Sequence, residues 1–206
     1  MPLVGLTLAA QWAGIAMPTL YAGITFQYSL TLPLLVHTSP DHKTLARQWL
    51  AVYQQGPVFV PPLICIGTLA SAYLSYLNPP SSSFPSPRSS FLTAQTLYAA
   101  AAVLTLSIMP ITFLYFEPGI NGACKWKVQR LLEQDGFRMP EGEKGRIPRV
   151  DRHSASEASK EWAERAEMGE LVRSWVRRNH GRWVVGLLAG GLSGLATGMA
   201  MMAGRW

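Results

Sequence analysis

The first 40 residues contain no Asp, Glu, Lys or Arg, and three further charge-poor apolar stretches follow. Together they make water the wrong solvent for much of the chain. The four stretches cover roughly residues 6–36, 58–77, 92–116 and 183–203. Each reaches the roughly 20 residues that a helix needs to cross a ~30 Å hydrocarbon core. Inside lipid every backbone N–H and C=O has to be paired within its own segment, so a helix is the economical conformation. The pattern predicts an all-α membrane protein: a four-transmembrane-helix bundle, one integral membrane domain over residues 1–206, with a long polar loop at 117–182. Its immediate partner is the lipid bilayer.

The polar loop carries 11 of the 12 acidic residues and 14 of the 18 basic ones, so the surplus of +6 is concentrated rather than spread. A soluble nucleic-acid binder would not place its basic residues between long apolar runs, so no nucleic-acid partner is expected. The N-terminus does not read as a secretory signal, because the first basic residue is Lys43 and the apolar run is about 30 residues instead of 7–15. It reads as a long first helix bent near Pro18, whose ring removes one helix hydrogen bond.

Orientation follows from charge. With four spans, loops 37–57 and 117–182 share a side that holds 16 basic residues; the other side has Arg88 and Arg205. Only charges near the spans vote in the positive-inside rule, and Lys125, Lys127, Arg130, Arg173, Arg177, Arg178 and Arg182 all do. Both termini are therefore expected on the non-cytosolic face of the endoplasmic reticulum or another internal membrane.

Residues 78–90 form a Pro/Ser-rich linker, and residues 136–154 read as irregular. Ser154-x-x-Glu157 has the spacing of a capping box. Beyond it Trp162, Ala166, Val172, Trp175 and Val176 recur at helical spacing, which predicts a cytosolic amphipathic helix on the membrane face before the last span. In that span Gly186, Gly190, Gly194 and Gly198 recur at steps of four. They are expected to form a close-packing face, either within the bundle or as a homo-oligomer seam, and a bulky residue at Gly190 or Gly194 is expected to be costly.

Chemical signals are sparser. Cys65 and Cys124 make no C-x-x-C pair, which removes a thiol oxidoreductase. His37, His42, His153 and His180 lie outside the middle of any span, against a transmembrane haem. Metal-ligand spacings, a G-x-G-x-x-G and a P-loop are all missing, so no cofactor is expected. What remains is a polar and aromatic set flanking the spans on the cytosolic side. It comprises Gln48, Trp49, Tyr53 and Gly56; Pro110 and Thr112; Glu117, Pro118 and Asn121; and Trp175, Asn179 and Arg182. Trp175, Asn179 and Arg182 fall on one helical face. Interfacial anchoring is the plain explanation for the Trp and Arg residues.

The ordered set Q-W-x3-Y-x2-G, P-x-T with Asn shortly after, and L-x3-W-x3-N-x2-R resembles the anthrone oxygenase family, small membrane proteins of fungal polyketide pathways. The resemblance covers nearly the whole chain. It implies oxidation of an aromatic polyketide anthrone to an anthraquinone, with molecular oxygen as co-substrate and no metal or organic cofactor. Such an enzyme needs a base, groups that stabilise an enolate and a water-poor slot. On that basis Arg182 and Arg47 are expected to stabilise the enolate oxygen, Asn121 and Asn179 to hydrogen-bond a carbonyl or phenol, and Trp49 and Trp175 to stack on the rings. Thr112 joins the substrate-binding set. His180 or His37 is the expected base, oriented by Tyr53. Oxidation of another lipophilic phenol and a non-catalytic membrane scaffold or carrier stay open as alternatives.

Overall fold

The structure, a computed structural model, describes residues 2–79, 93–142 and 148–204. It is helical, and the described residues contain no strand. Helix α1 spans Pro2–Thr38, α2 His42–Leu77 and α3 Ala94–Ile111; a π-helical segment, Thr112–Asn121, joins α3 to α4 (Gly122–Leu132), which ends in a 3₁₀ turn at Glu133–Asp135. Helix α5 spans Glu157–Arg165, and α6 runs from Met168 to Met202. Among the described residues, three helical stretches are long and apolar enough to cross a membrane: His42–Leu77, Ala94–Asp135 and Met168–Met202. Helix α1 is 37 residues long and contains no Asp, Glu, Lys or Arg. It is helical on both sides of Pro18.

Much of the first expected loop is helical. The connection between α1 and α2 shrinks to residues 39–41, because Asp41 starts α2: its two carboxylate oxygens accept from the Thr44 N–H at 2.8 Å and the Thr44 hydroxyl at 3.0 Å. That is the usual way an N-cap satisfies an orphan donor. The linker from residue 80 to 92 lies outside the described residues, as do Arg88 and Arg205 from the charge count.

Contacts divide the chain into two compact units, to which α1, α2 and α6 each contribute a part. One comprises Met1–Gly23, Pro61–Ile108 and Arg182–Trp206. Its core is built from small residues, with Ala10, Ala70, Ala94, Ala196 and Ala200 around Leu74, Leu97 and Tyr98. Two hydroxyl pairs lie inside it, Ser71 with Ser193 at 3.1 Å and Tyr98 with Thr197 at 2.8 Å. The large apolar side chains face outward instead: Trp12, Leu69 and Val103 are each more than two-thirds exposed. An apolar exterior over a small-residue interior is the arrangement expected where lipid is the solvent, since only close packing then favours helix association.

The other unit comprises Ile24–Val60 and Met109–Gly181 and has a core like that of a soluble protein. Leu32, Leu45, Trp49, Phe116, Ile120, Val128, Leu171, Val172 and Trp175 are all buried in it. The stripe of Ala166, Val172, Trp175 and Val176 is therefore covered by protein, not laid on a membrane surface as the sequence predicted. Its helix is also two helices, broken at Ala166–Glu167. The capping box is displaced as well. Helix α5 is capped by Ser156, whose hydroxyl accepts from the Ser159 N–H.

The glycine face of α6 splits in two. A Cβ at Gly186 would stand 2.9 Å from the Pro18 carbonyl oxygen, and one at Gly190 would stand 2.5 Å from Thr19 Oγ1 and 3.3 Å from the Ile15 carbonyl oxygen. At Gly194 and Gly198 nothing lies within 4 Å of that position. Gly190→Leu should thus lower thermal stability in detergent by ~1–3 kcal/mol, the usual range for overpacking. Gly194→Leu should melt close to wild type, so equal losses at both positions would contradict this packing.

Candidate active site

The π-helical segment places the most unusual group in the chain. Pro118 has no N–H to contribute to an α-helical ladder, and Gly119 leaves helical dihedrals altogether (φ −91°, ψ −112°). Wide turns of this kind inside helices are frequent at functional sites. Here the turn directs Glu117 inward, where it is 5% exposed. Asn121 and Lys125 follow at a step of four beyond the kink, and both side chains reach back to Glu117.

Four side chains converge on this buried carboxylate. Oε1 accepts from the Tyr53 hydroxyl and from Asn121 Nδ2 at 2.8 Å. Oε2 accepts from Lys125 Nζ and from the Ser154 hydroxyl, both at 2.9 Å. Lys125 is fully buried, and its ammonium also donates to the Arg149 carbonyl oxygen at 3.2 Å. An isolated charge in such a place costs several kcal/mol even after relaxation. Two opposite charges with their remaining valences hydrogen-bonded are the tolerable solution.

Aromatic rings surround the pair. Tyr53 stacks nearly flat on Trp49, with centroids 5.0 Å apart and planes 9° apart, and Lys125 Nζ lies 5.6 Å from the Tyr53 centroid. Trp175 donates its Nε1–H to Asn121 Oδ1 at 2.8 Å and tilts against Tyr28 at 5.9 Å. Asn121 thus bridges the carboxylate and the indole, which assigns its amide orientation. The Trp49 Nε1–H is buried and has no partner among the described residues.

The segment 148–156 straps the cluster shut. Ser154 donates to the Glu117 carbonyl oxygen as well as to its side chain. The Ser156 N–H and Ser159 hydroxyl both donate to the Pro118 carbonyl oxygen, at 2.9 and 2.8 Å. Gly122 makes this approach feasible, because a Cβ there would stand 2.5 Å from Ala155 Cα. Farther along, the Met139 N–H and His153 Nε2 both meet Gln129 Oε1, so Nε2 carries the imidazole proton. Burial holds the His153 imidazole below its ordinary range; Glu141 opposes that, while Lys125 and Lys160 add to it. Described parts of a loop that read as irregular are in fact tied down residue by residue.

The cluster unites four residues singled out from sequence: Trp49, Tyr53, Asn121 and Trp175. The others lie elsewhere. Arg47 is exposed and donates to Asp135 at 2.8 Å, beside Lys43 on the same carboxylate. Asn179 is buried in the same unit and donates to the Thr25 carbonyl oxygen at 2.8 Å, leaving its own Oδ1 without a partner among the described residues. Arg182 belongs to the other unit, where its Nε–H donates to the Tyr21 hydroxyl at 3.0 Å. His37 and His180 are exposed, and Thr112 is half-buried at the start of the π segment. By sequence Glu117 and Lys125 are simply charged residues flanking a span; the signal that joins them is the E-x3-N-x3-K spacing. Two open clefts of about 470 and 400 Å³ lie on this unit's surface, lined by neither Glu117 nor Tyr53. No group of three or more His, Cys, Asp or Glu able to hold a metal occurs among the described residues.

Residues 49–192, which include the whole Glu117 cluster, match the family model described as anthrone oxygenase. The chain belongs to this family. Anthrone oxygenase nsrD of Aspergillus novofumigatus is 30% identical over 94 residues, 45% of this chain and 52% of that protein. The chain thus spans about half the length of this curated relative. No solved structure matches.

Lys125→Met should destabilise this anthrone oxygenase family member by about 3–5 kcal/mol, because it leaves the Glu117 charge buried without its cation. The double variant Glu117→Gln/Lys125→Met should recover most of that loss. Thermal unfolding in detergent measures both, and a Lys125→Met protein as stable as wild type would contradict the buried pair.

Proposed function

We propose that this protein is a membrane-bound oxygenase that converts an anthrone to an anthraquinone with molecular oxygen, in a fungal aromatic polyketide pathway. The observation that carries this reading is the charge-compensated Glu117, which holds Tyr53 and Asn121 against the aromatic surfaces of Trp49 and Trp175. Family membership supports the oxygenase class.

The chemistry asks little beyond this. The central methylene of an anthrone is acidic because its anion is delocalised over flanking rings. Loss of one proton gives an enolate rich enough in electrons to react with oxygen without metal or flavin. The carbanion carbon bonds to one oxygen atom, and the peroxide anion so formed takes a proton. Loss of the second C–H proton with O–O cleavage leaves a ketone and, after one more protonation, water. Overall, CH₂ and O₂ become C=O and H₂O.

In this reading Trp49 backs the Tyr53 ring that meets the substrate, and Asn121 and Trp175 form a fixed polar edge. The unpartnered Trp49 Nε1–H is a donor for the developing enolate oxygen. Lys125 is the cation beneath it, in a site poor in water, where such fields act most strongly. No part is assigned to Arg47, whose guanidinium Asp135 holds, or to Arg182, whose Nε–H Tyr21 holds.

The reading includes four spans, with the uncharged α1 as the first, and both termini on the non-cytosolic face of an internal membrane. The basic residues flanking α4 and the start of α6 support that side. A protease site inserted in loop 136–153 should be cut from the cytosolic side of sealed microsomes, and protection of that site would reverse the orientation.

Membranes containing the protein should consume oxygen with emodin anthrone well above the spontaneous rate. Trp175→Phe keeps a ring but loses the bond to Asn121, and should lower that uptake about tenfold, ~1.4 kcal/mol in barrier. Wild-type membranes no faster than protein-free membranes would overturn the reaction.

A further inference from the structure

Taking a proton from the anthrone methylene leaves negative charge on the substrate, and in a site shielded from water the proton needs a defined acceptor. Both histidines expected to act as base are exposed, and neither is the group that holds the Tyr53 hydroxyl. The acceptor chain present in the structure runs differently. Tyr53 is half-buried, its ring lies flat on Trp49, and its hydroxyl donates to Glu117 Oε1. Behind the carboxylate, Lys125 Nζ sits 2.9 Å from Oε2.

We infer that Tyr53 and Glu117 form the proton relay of the reaction: Tyr53 takes the methylene proton on its oxygen while passing its own hydroxyl proton to Glu117 Oε1. The inference rests on the anthrone reading above. A C–H bond breaks on the substrate and an O–H bond forms on Tyr53, while the former Tyr53 O–H bond breaks and another forms on Glu117. The C–H electron pair stays on the substrate as the enolate. Oxygen, the co-substrate, is the oxidant. The peroxide anion that follows recovers the proton from Glu117 through Tyr53, which resets both groups for the second C–H removal.

The Lys125 charge is what makes this transfer feasible in a low dielectric. Before it, Glu117 and Lys125 neutralise one another. Afterwards Glu117 is uncharged, and the ammonium beneath it faces the enolate. No net charge is created in the interior; an existing negative charge moves from protein to substrate, within the field of the same cation. Asn121 and Ser154 keep the carboxyl group in place throughout, since each can donate to its neutral form as well.

Tyr53 is thus a catalytic residue, and Tyr53→Phe is its test, because the ring and its stack on Trp49 are kept. The variant should lose about 100-fold or more in kcat for anthrone-dependent oxygen uptake, the range of a positioned acid–base group. KM should stay near wild type, since only a transition-state interaction is lost. Its residual rate should climb with pH as hydroxide takes over the proton transfer, where the wild-type rate stays level. The second variant, Glu117→Gln/Lys125→Met, removes both charges without leaving one buried alone, and it should show the same loss and the same pH slope. If either variant turns over like wild type with a level pH profile, the relay is overturned and the anthrone reaction stands. If wild-type membranes themselves show no anthrone-dependent uptake, the reaction falls, and the relay with it.

Discussion

A carboxylate and an ammonium, both out of reach of water, set the terms for one half of this molecule. Glu117 and Lys125 lie eight residues apart, and their charges meet at 2.9 Å. Neither is tolerable there alone. Each therefore dictates what surrounds it: hydroxyls from Tyr53 and Ser154, the amide of Asn121 and the carbonyl oxygen of Arg149 fill the remaining valences. A buried ion pair is weak evidence of stability, because apolar residues of similar volume often serve as well. In the proposed relay the pair supplies a movable charge beside the substrate.

The backbone around the pair is shaped to the same end. The π turn rotates Glu117 away from the outward-facing Leu114 and Tyr115 and into the interior, while Pro118 and Gly119 keep the chain from closing into an ordinary α-helix. The Pro118 carbonyl oxygen becomes the anchor for Ser156 and Ser159, and the Glu117 carbonyl oxygen, which also accepts the Gly122 N–H, the anchor for Ser154. One local departure from helix geometry thus aims the carboxylate and also supplies the attachment points for the strap that shields it.

The apolar runs were legible because their signal is one of length and composition, which lipid imposes on each segment independently. The helical class and three of the membrane-compatible stretches followed from it. The helical nature of residues 42–57 was less legible, since Lys43, Arg47 and Gln48 looked like loop residues next to a span, and only the Asp41–Thr44 cap reveals a helix start. The glycine face was legible as a repeat but not as a division, because spacing alone cannot tell that Pro18 and Thr19 reach Gly186 and Gly190 and stop short of Gly194. Trp49, Tyr53, Asn121 and Trp175 stood out by residue type and by likeness to a family. Glu117 and Lys125 did not, because a charged residue just past a span ordinarily faces water. Their burial comes from a π turn and a strap more than 20 residues downstream, neither of which has a periodic signature. The arginines stood out for the opposite reason: their chemistry suited an enolate, but Asp135 and Tyr21 engage them first.

In the proposed relay Glu117 receives the substrate's proton, and infrared difference spectroscopy reads that step directly. The protein in membranes would be mixed with an anthrone in the absence of oxygen, so that the enolate accumulates. As the enolate absorbance appears, an ionised carboxylate band should be lost and a protonated carboxyl band gained, and both changes should be missing from Glu117→Gln/Lys125→Met. An enolate that forms on the wild-type protein with no carboxyl group becoming protonated would contradict the account.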